Sequence, residues 1–271
     1  MMNTAQTSKS VDRKKLLANV RSVVIKIGTN ALSDPQGRVD ATILSHFAEQ
    51  VAVLVAKKIQ VTMVSSGAIG AGVTELGLAK RPEDLPMLQA AASVGQSILM
   101  NLFAAAFKTH SLHVGQILIT RSDFQNKARY LNLRNCIDAL HSSRCVPIIN
   151  ENDSVAVAEI RFGDNDLIAA QVTNLLDADL LMLLSVVDGL LDARGQTVPI
   201  VCDMKDAVGN VDETNKSTRG TGGMGSKLIA AGTVKEAGKP VVIANGKRPN
   251  VITDVLDGVA TGTLIVPADP T

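Results

Sequence analysis

The sequence predicts an α/β fold, a three-layer αβα sandwich around a mainly parallel sheet. Short apolar runs alternate with longer stretches of helical period. Those runs are apolar nearly throughout, as in strands covered on both faces. Glycine (21 residues) and alanine are abundant while aromatics make up 2%, which suits closely packed helices and glycine-rich ligand turns.

Residues 1–17 read as a loose polar tail, followed by one unit over 18–271 with no repeat, linker or domain break. SVVIKIG (Ser22–Gly28) is the first strand. A helix is expected over 40–58, and IQVTMV is the second strand. SSGAIGAG, Ser65 to Gly72, follows that strand and opens a helix. An Ala-rich helix covers 88–107, HVGQILI is a strand, 126–141 is helical, and CVPIIN is a fourth strand. A helix over 167–176 leads into the strand DLLMLLSV. Residues 190–215 are turn-rich and break the pattern. It resumes with a helix over 223–237, the strand PVVIANG, a short helix at 251–256 and a closing strand GTLIVP. Gly238 is a plausible helix stop.

Several function classes are excluded or disfavoured. A net charge of +1, from 27 basic and 26 acidic side chains, leaves no basic stripe for nucleic acid. The N-terminus lacks the apolar core of a signal peptide. The longest uninterrupted apolar run, LLMLLSVV, is too short to span a bilayer. Cys136, Cys145 and Cys202 have no metal-site spacing and read as reduced, mostly buried thiols of a cytoplasmic protein. His46, His110, His113 and His141 are scattered and form no triad with a nucleophile.

Ligands of such a sheet gather beyond the carboxyl ends of its strands. Lys26 interrupts an otherwise apolar strand, and burying an ammonium alone is costly. Near the strand end, beside Gly28 and Thr29, it can reach phosphate oxygens. The turn at Ser66, Gly67 and Ala68 sets backbone N–H groups toward an anion, although GxGxxG spacing is absent. The segment NENDSVAVAEIRFGDND holds two acidic clusters, one ending at Asp153 and the other at Asp164, Asn165 and Asp166. Their carboxylates can bind an ammonium, orient lysines or contact Mg²⁺. Paired acids for glycoside chemistry are also conceivable. GTGGMGSK, from Gly220 to Lys227, has the parts of a phosphate loop but not the order of a Walker loop. Two lysines from distant positions can bracket a moving phosphoryl group.

Together VVIKIGTN, VSSGAIGAG, HVGQILITRSDF, VPIINENDSVAVAEIRFGDND, GTGGMGSKLIAA and GTLIVP resemble the amino-acid kinase family, and within it the kinases that phosphorylate glutamate. The resemblance runs from about residue 21 to 267. It implies a carbamate kinase-like fold, and the length resembles family members without a C-terminal PUA domain. It implies ATP-dependent phosphorylation of the γ-carboxylate of L-glutamate with MgATP, the first step of proline biosynthesis. Glutamate would bind the N-terminal part and ATP the C-terminal part. Lys26 and Lys227 would contact the phosphates, with Asp164 orienting them. Ser66, Gly67, Ala68, Asp153, Asn165 and Asp166 would hold the substrate, Asp166 at its ammonium. Lys26, Gly28, Thr29, Ser185, Val186, Thr221, Gly222, Gly223, Met224, Gly225, Ser226 and Lys227 would line the nucleotide site. No protein metal ligand is expected. The resemblance further implies a homodimer or homotetramer, proline as feedback inhibitor, and a functional link to glutamyl phosphate reductase. SVVDGLL departs from the family's Thr-Asp or Ser-Asp, since Val186 offers no side-chain acceptor; Asp188 is the candidate to replace it. A kinase of aspartate or N-acetylglutamate, and a non-catalytic nucleotide-binding regulator, are the alternatives.

Overall fold

The structure is a computed structural model and describes residues 11–156, 165–208 and 223–268. Eight strands among them form one sheet: β1 (Ser22–Ile27), β2 (Gln60–Val64), β3 (His113–Ile119), β4 (Cys145–Glu151), β5 (Leu180–Ser185), β6 (Ile200–Val201), β7 (Val241–Asn245) and β8 (Thr263–Ile265). Their order is β3-β4-β2-β1-β5-β7-β8-β6. Neighbours run parallel except β7 and β8, which are antiparallel. From β1 the chain passes to β2 on one side, whereas β5 on its other side leads on to β7. That reversal opens a crevice at the carboxyl ends of β1 and β5.

Strand alternation decides which side chains meet there. Val23, Ile25 and Ile27 of β1 join Met182 of β5 and Val242 of β7 in one core. Helices α3 (Ala41–Ala56), α5 (Leu85–Lys108) and α11 (Val251–Leu256) supply its other residues, among them Phe47, Phe103 and Val251. Val24 joins Leu181, Leu183 and Ile243 in a second core on the opposite face. There α7 (Lys127–Ser142), α8 (Asn165–Leu176) and α10 (Met224–Glu236) contribute Ile137, Ile168 and Leu228. With a period of two, Lys26 lies on the face of Val24, beneath α8 and α10.

Shorter helices complete the chain: α1 (Arg13–Leu17), α2 (Thr29–Leu32), α4 (Ala68–Glu75), α6 (Arg121–Gln125) and α9 (Met204–Val208). The loose tail expected through residue 17 meets a packed helix at α1. Asp12 caps it by accepting from the Lys15 N–H, Leu17 is buried, and Arg13 donates to the Thr261 carbonyl at 2.9 Å. The cysteines also depart from expectation, since Cys136 and Cys202 are exposed and Cys145 is partly buried. Cys136 lies on the outer side of α7, Cys202 in a bend after β6 and Cys145 at the first residue of β4. Within the described part of 190–215, β6, α9 and a bridge between Leu191 and Thr197 form the excursion from the sheet.

Helix α5, 24 residues without a charge before Lys108, is long and apolar enough to cross a membrane. The run is interrupted by Gln89, Ser93, Gln96, Ser97 and Asn101, and Leu88, Ala91, Leu99, Phe103 and Phe107 are buried inside the fold. Its contact with α4 is unusually close. A Cβ on Gly72 would lie 1.8 Å from the Ala91 carbonyl oxygen, and one on Gly95 would lie 1.8 Å from that of Ala68. Gly95 therefore sets how near α5 comes to the first turn of α4. Gly95→Ala should lower unfolding free energy by about 1–3 kcal/mol through overpacking. Gly70→Ala, with nothing within 4 Å of the added carbon, should raise it by about 0.5–1 kcal/mol through helix propensity. Denaturant titration of both variants checks the pair of signs.

Candidate active site

Three charged side chains meet where the two lysines were expected to converge. Lys26 comes from β1, Lys227 from the first turn of α10, and Asp166 from the first turn of α8. Asp166 Oδ1 lies 2.7 Å from Lys26 Nζ, and Oδ2 lies 2.9 Å from Lys227 Nζ. Ser226 Oγ donates to Oδ2 at 3.0 Å. Side-chain exposures are 0% for Asp166, 7% for Lys26 and 5% for Lys227. Burial by itself raises the carboxyl's pKa; the ammoniums of Lys26 and Lys227 outweigh it and hold the group at about 2. Two ammoniums and one carboxylate thus meet at the mouth of the crevice.

The helix starts surround this cluster. Gly28 precedes α2 and its N–H donates to the Leu184 carbonyl at 3.0 Å, tying the turn to β5. Gly67 adopts φ 100° and ψ 2° just before α4, a conformation that favours glycine. A Cβ there would lie 3.6 Å from Thr29 Cγ2, so the turns after β1 and β2 are neighbours. Gly223 precedes α10 without any side-chain cap. The free N–H groups of α4 and α10 and their dipoles favour an anion.

Beside the triad lies a network of amides. Asn165 Nδ2 is 2.7 Å from the Ser65 carbonyl, 2.9 Å from Ser66 Oγ and 3.0 Å from Asn150 Oδ1. Asn165 Oδ1 is buried and has no partner among the described residues, an acceptor that a substrate donor would satisfy. Asp153, just beyond β4, is largely desolvated. Burial pushes its carboxyl up to about 6 despite the opposing charge of Arg81. Burial likewise lowers the Arg81 pKa, with Asp153 opposing.

On the other flank, Ser185 ends β5 and its carbonyl accepts from the Gly246 N–H at 2.8 Å. Val186 is 41% exposed. Asp188 accepts from Asn245 Nδ2 at 3.1 Å, so its carboxylate is tied across to the end of β7.

The structure thus gathers Lys26, Asp166, Ser226 and Lys227 into one contact cluster, and Ser66 and Asn165 into another. Asp164, Thr221 and Gly222 fall outside the described residues. Asp166, expected at a substrate ammonium, has an oxygen on each lysine; the orienting role expected of Asp164 lies outside the described residues. Helix α8 begins at Asn165 rather than 167, and this places Asn165 and Asp166 in the first turn over the strand ends. Arg81, Gln96 and Asn150 were missed as site residues. The available signal for Gln96 was its place in an Ala-rich stretch seven residues after Gln89, on one helical face.

The profile of the Amino acid kinase family matches residues 21–245. A glutamate 5-kinase of Clostridium acetobutylicum is 42% identical over 265 residues, covering 94% of this chain and 98% of the relative. A glutamate 5-kinase of Geobacter sulfurreducens is 41% identical over 261 residues, covering 94% of this chain and 70% of that one. Among solved structures, a carbamate kinase from Giardia lamblia bound to AMP-PNP superimposes with a TM-score of 0.65 at 15% identity, over 93% of this chain and 100% of that one. An N-acetylglutamate synthase from Neisseria gonorrhoeae gives 0.66 at 13% identity, over 95% and 64%. These two likenesses concern the fold.

The low pKa of Asp166 makes stability pH-dependent. Its carboxylate stabilises the folded chain fully above the ordinary value of 3.8 and progressively less as pH falls toward 2, a loss of about 2 kcal/mol. Asp166→Asn should remove that acid limb and, by taking a charged partner from two nearly buried ammoniums, lower stability at neutral pH by about 3–5 kcal/mol. Unfolding curves between pH 2 and 7 for both proteins measure this.

Proposed function

The chain belongs to the amino acid kinase family, and on that premise we propose that it transfers the terminal phosphoryl group of ATP to the γ-carboxylate of L-glutamate. The products are ADP and L-glutamyl 5-phosphate, and the step opens proline biosynthesis. The observation that carries the reading is Asp166 holding Lys26 and Lys227 side by side at the crevice. A γ-carboxylate oxygen attacks the terminal phosphorus, the bond to the bridging oxygen breaks, and its electron pair leaves on ADP. Charge moves across the phosphoryl oxygens during this step, and two fixed ammoniums neutralise it without rearrangement. The acceptor is already ionised, so no general base is needed.

The substrate side is the amide network. Ser66, Gly67, Ala68 and Asn165 surround the glutamate, and Asp153 takes its ammonium. Asp166 shares with Asp164 the orienting of the two lysines. The nucleotide side is the α10 turn, Gly223, Met224, Gly225, Ser226 and Lys227, with Gly28 and Thr29 toward the phosphates. Ser185 and Val186 face the rest of the nucleotide through backbone groups. Mg²⁺ is carried on the phosphates of ATP and on water, the usual habit of this ion. Proline as feedback inhibitor, a homodimer or homotetramer, a functional link to glutamyl phosphate reductase and a cytoplasmic location complete the proposal.

Asp153 favours a free ammonium over an acetylated amine, which distinguishes glutamate from N-acetylglutamate. Trapping the acyl phosphate with hydroxylamine across glutamate, aspartate and N-acetylglutamate tests the choice. Product from glutamate alone is expected, and preference for either other acid overturns it. Lys227→Ala should reduce kcat about 100-fold or more, with ATP binding followed separately by calorimetry. Since free Asp153 has a carboxyl pKa of about 6, kcat/KM for glutamate should fall as pH drops through that value. Asp153→Asn should have a low kcat/KM at every pH and lack that inflection.

A further inference from the structure

Past the lysines, the crevice carries an acid that the function above leaves unused. Asp188 lies three residues beyond the end of β5, and Asn245 is the last residue of β7. Strand alternation fixes the side of the sheet on which Asn245 lies. Val241 and Ile243 of β7 belong to the core beneath α8 and α10, so Asn245, two residues further on, shares their side. Lys26 is on that side as well. Strand pairing sets the separation. Lys26 is level with Leu183, and Asn245 with Ser185. Asn245 therefore stands two strands from Lys26, about 10 Å across the sheet, and nearer the carboxyl edge. That offset suits a nucleotide whose terminal phosphates are at Lys26 and whose ribose is at Asp188.

The acid is held in place from both sides. The backbone N–H of Lys247 can only donate, and it meets Asn245 Oδ1 at 3.0 Å. Asn245 then has its Nδ2 left for Asp188, and donates to Oδ1 at 3.1 Å. The chain after Asp188 is pinned too. Gly189 has φ 146°, and a Cβ there would lie 2.6 Å from Thr263 Oγ1 and 2.8 Å from Thr197 Cγ2. The Leu190 N–H donates to the same Thr263 Oγ1 at 2.8 Å. One amide proton does not satisfy a carboxylate, whose two oxygens offer about four acceptor positions. Asp188 is exposed, and its Oδ2 meets no hydrogen-bond donor among the described residues.

We infer that Asp188 binds the ribose of the nucleotide, its carboxylate accepting from the 2′- and 3′-hydroxyls, with Asn245 as the positioning residue that holds it. The inference rests on the nucleotide side of the function proposed above and goes beyond it in naming the ribose contact. A vicinal diol presents two O–H donors side by side, and a carboxylate presents two acceptors to match. Charge makes each such hydrogen bond stronger than one between neutral groups. An acid near a strand end is also how dinucleotide-binding sheets hold a ribose hydroxyl. Val186 has no side-chain acceptor to compete, so telling ribose from deoxyribose falls to Asp188.

Calorimetry on the full chain with the Mg²⁺ complexes of ADP, 2′-deoxyADP and 3′-deoxyADP reads the contact directly. The unaltered protein should bind each deoxynucleotide about tenfold more weakly than ADP. Asp188→Ala should bind ADP about tenfold more weakly, and all three nucleotides within about twofold of one another. Pairing a variant with a ligand change separates contact from architecture. If Asp188 only braces Asn245, Asp188→Ala weakens all three alike and keeps the original ratio, which overturns the inference. An unaltered protein that binds ribose and deoxyribose equally overturns it as well. Asp188→Asn has nearly the same volume and keeps an oxygen toward Asn245, so it serves if Asp188→Ala does not fold. Its ratio should shrink to about threefold or less, the charge being gone, and an unchanged ratio counts against the inference. These titrations contain no acceptor. A chain that phosphorylates another acid would sink the glutamate reading and leave the ribose ratio standing, whereas a lack of ADP binding would sink both.

Discussion

A fully buried carboxylate between two ammoniums is the constraint on which the rest of the molecule depends. An isolated ion in this position would cost far more than a fold can supply, and would neutralise instead. Asp166 stays ionised because Lys26 and Lys227 reach it from separate elements. It in turn offsets the cost of burying both ammoniums, which requires β1, α8 and α10 to meet at one point. The parallel sheet meets that requirement. Strand alternation turns Lys26 toward the face where α8 and α10 lie, and both helices begin at the carboxyl edge.

The same edge divides the chemistry into two flanks. Toward β2 and β4 the groups are neutral amides, a hydroxyl and Asp153. Toward β5 and α10 they are backbone N–H groups and a lysine. The first set suits a small acid carrying an ammonium; the second suits phosphates. The lysine pair stands between, where a phosphoryl group would pass.

Most of the fold was legible because its strands are apolar on both faces and its helices carry clear stops, such as Gly238 with φ 77°. The lysines were legible for the opposite reason, since a charge in SVVIKI demands a partner. What could not be read was which partner. Asp166 stood in a segment whose helix start was placed two residues late, so spacing did not put it in the first turn over the strand ends. Helix α1 was missed because a polar pentapeptide carries no periodic signal; it is held by Arg13 on the Thr261 carbonyl and by buried Leu17, contacts across nearly the whole chain. The amide network was equally invisible, for it joins the turn after β2, α5, β4 and α8, and no local pattern reveals which amides meet.

The composition of the site follows from the state of its acceptor. An alcohol or amine nucleophile must lose a proton, so its kinase needs a base poised near neutrality. A carboxylate needs none, and what limits its reaction is repulsion between its charge and that of the phosphates. Fixed cations answer repulsion, whereas histidines would not. His46 and His113 are exposed, and His141 sits at the opposite end of the sheet against Thr62 and the Val61 carbonyl. The residues that remain for the site to supply are those that orient: donors for a carboxylate, an acid for an ammonium, and helix starts for phosphate. A tight crossing of α4 and α5 at Gly72 and Gly95, with no room for a methyl group, keeps the helix start beyond Gly67 at its place beside the lysines. Rigidity in the core is thus converted into fixed charge geometry at the edge, which is what electrostatic catalysis requires.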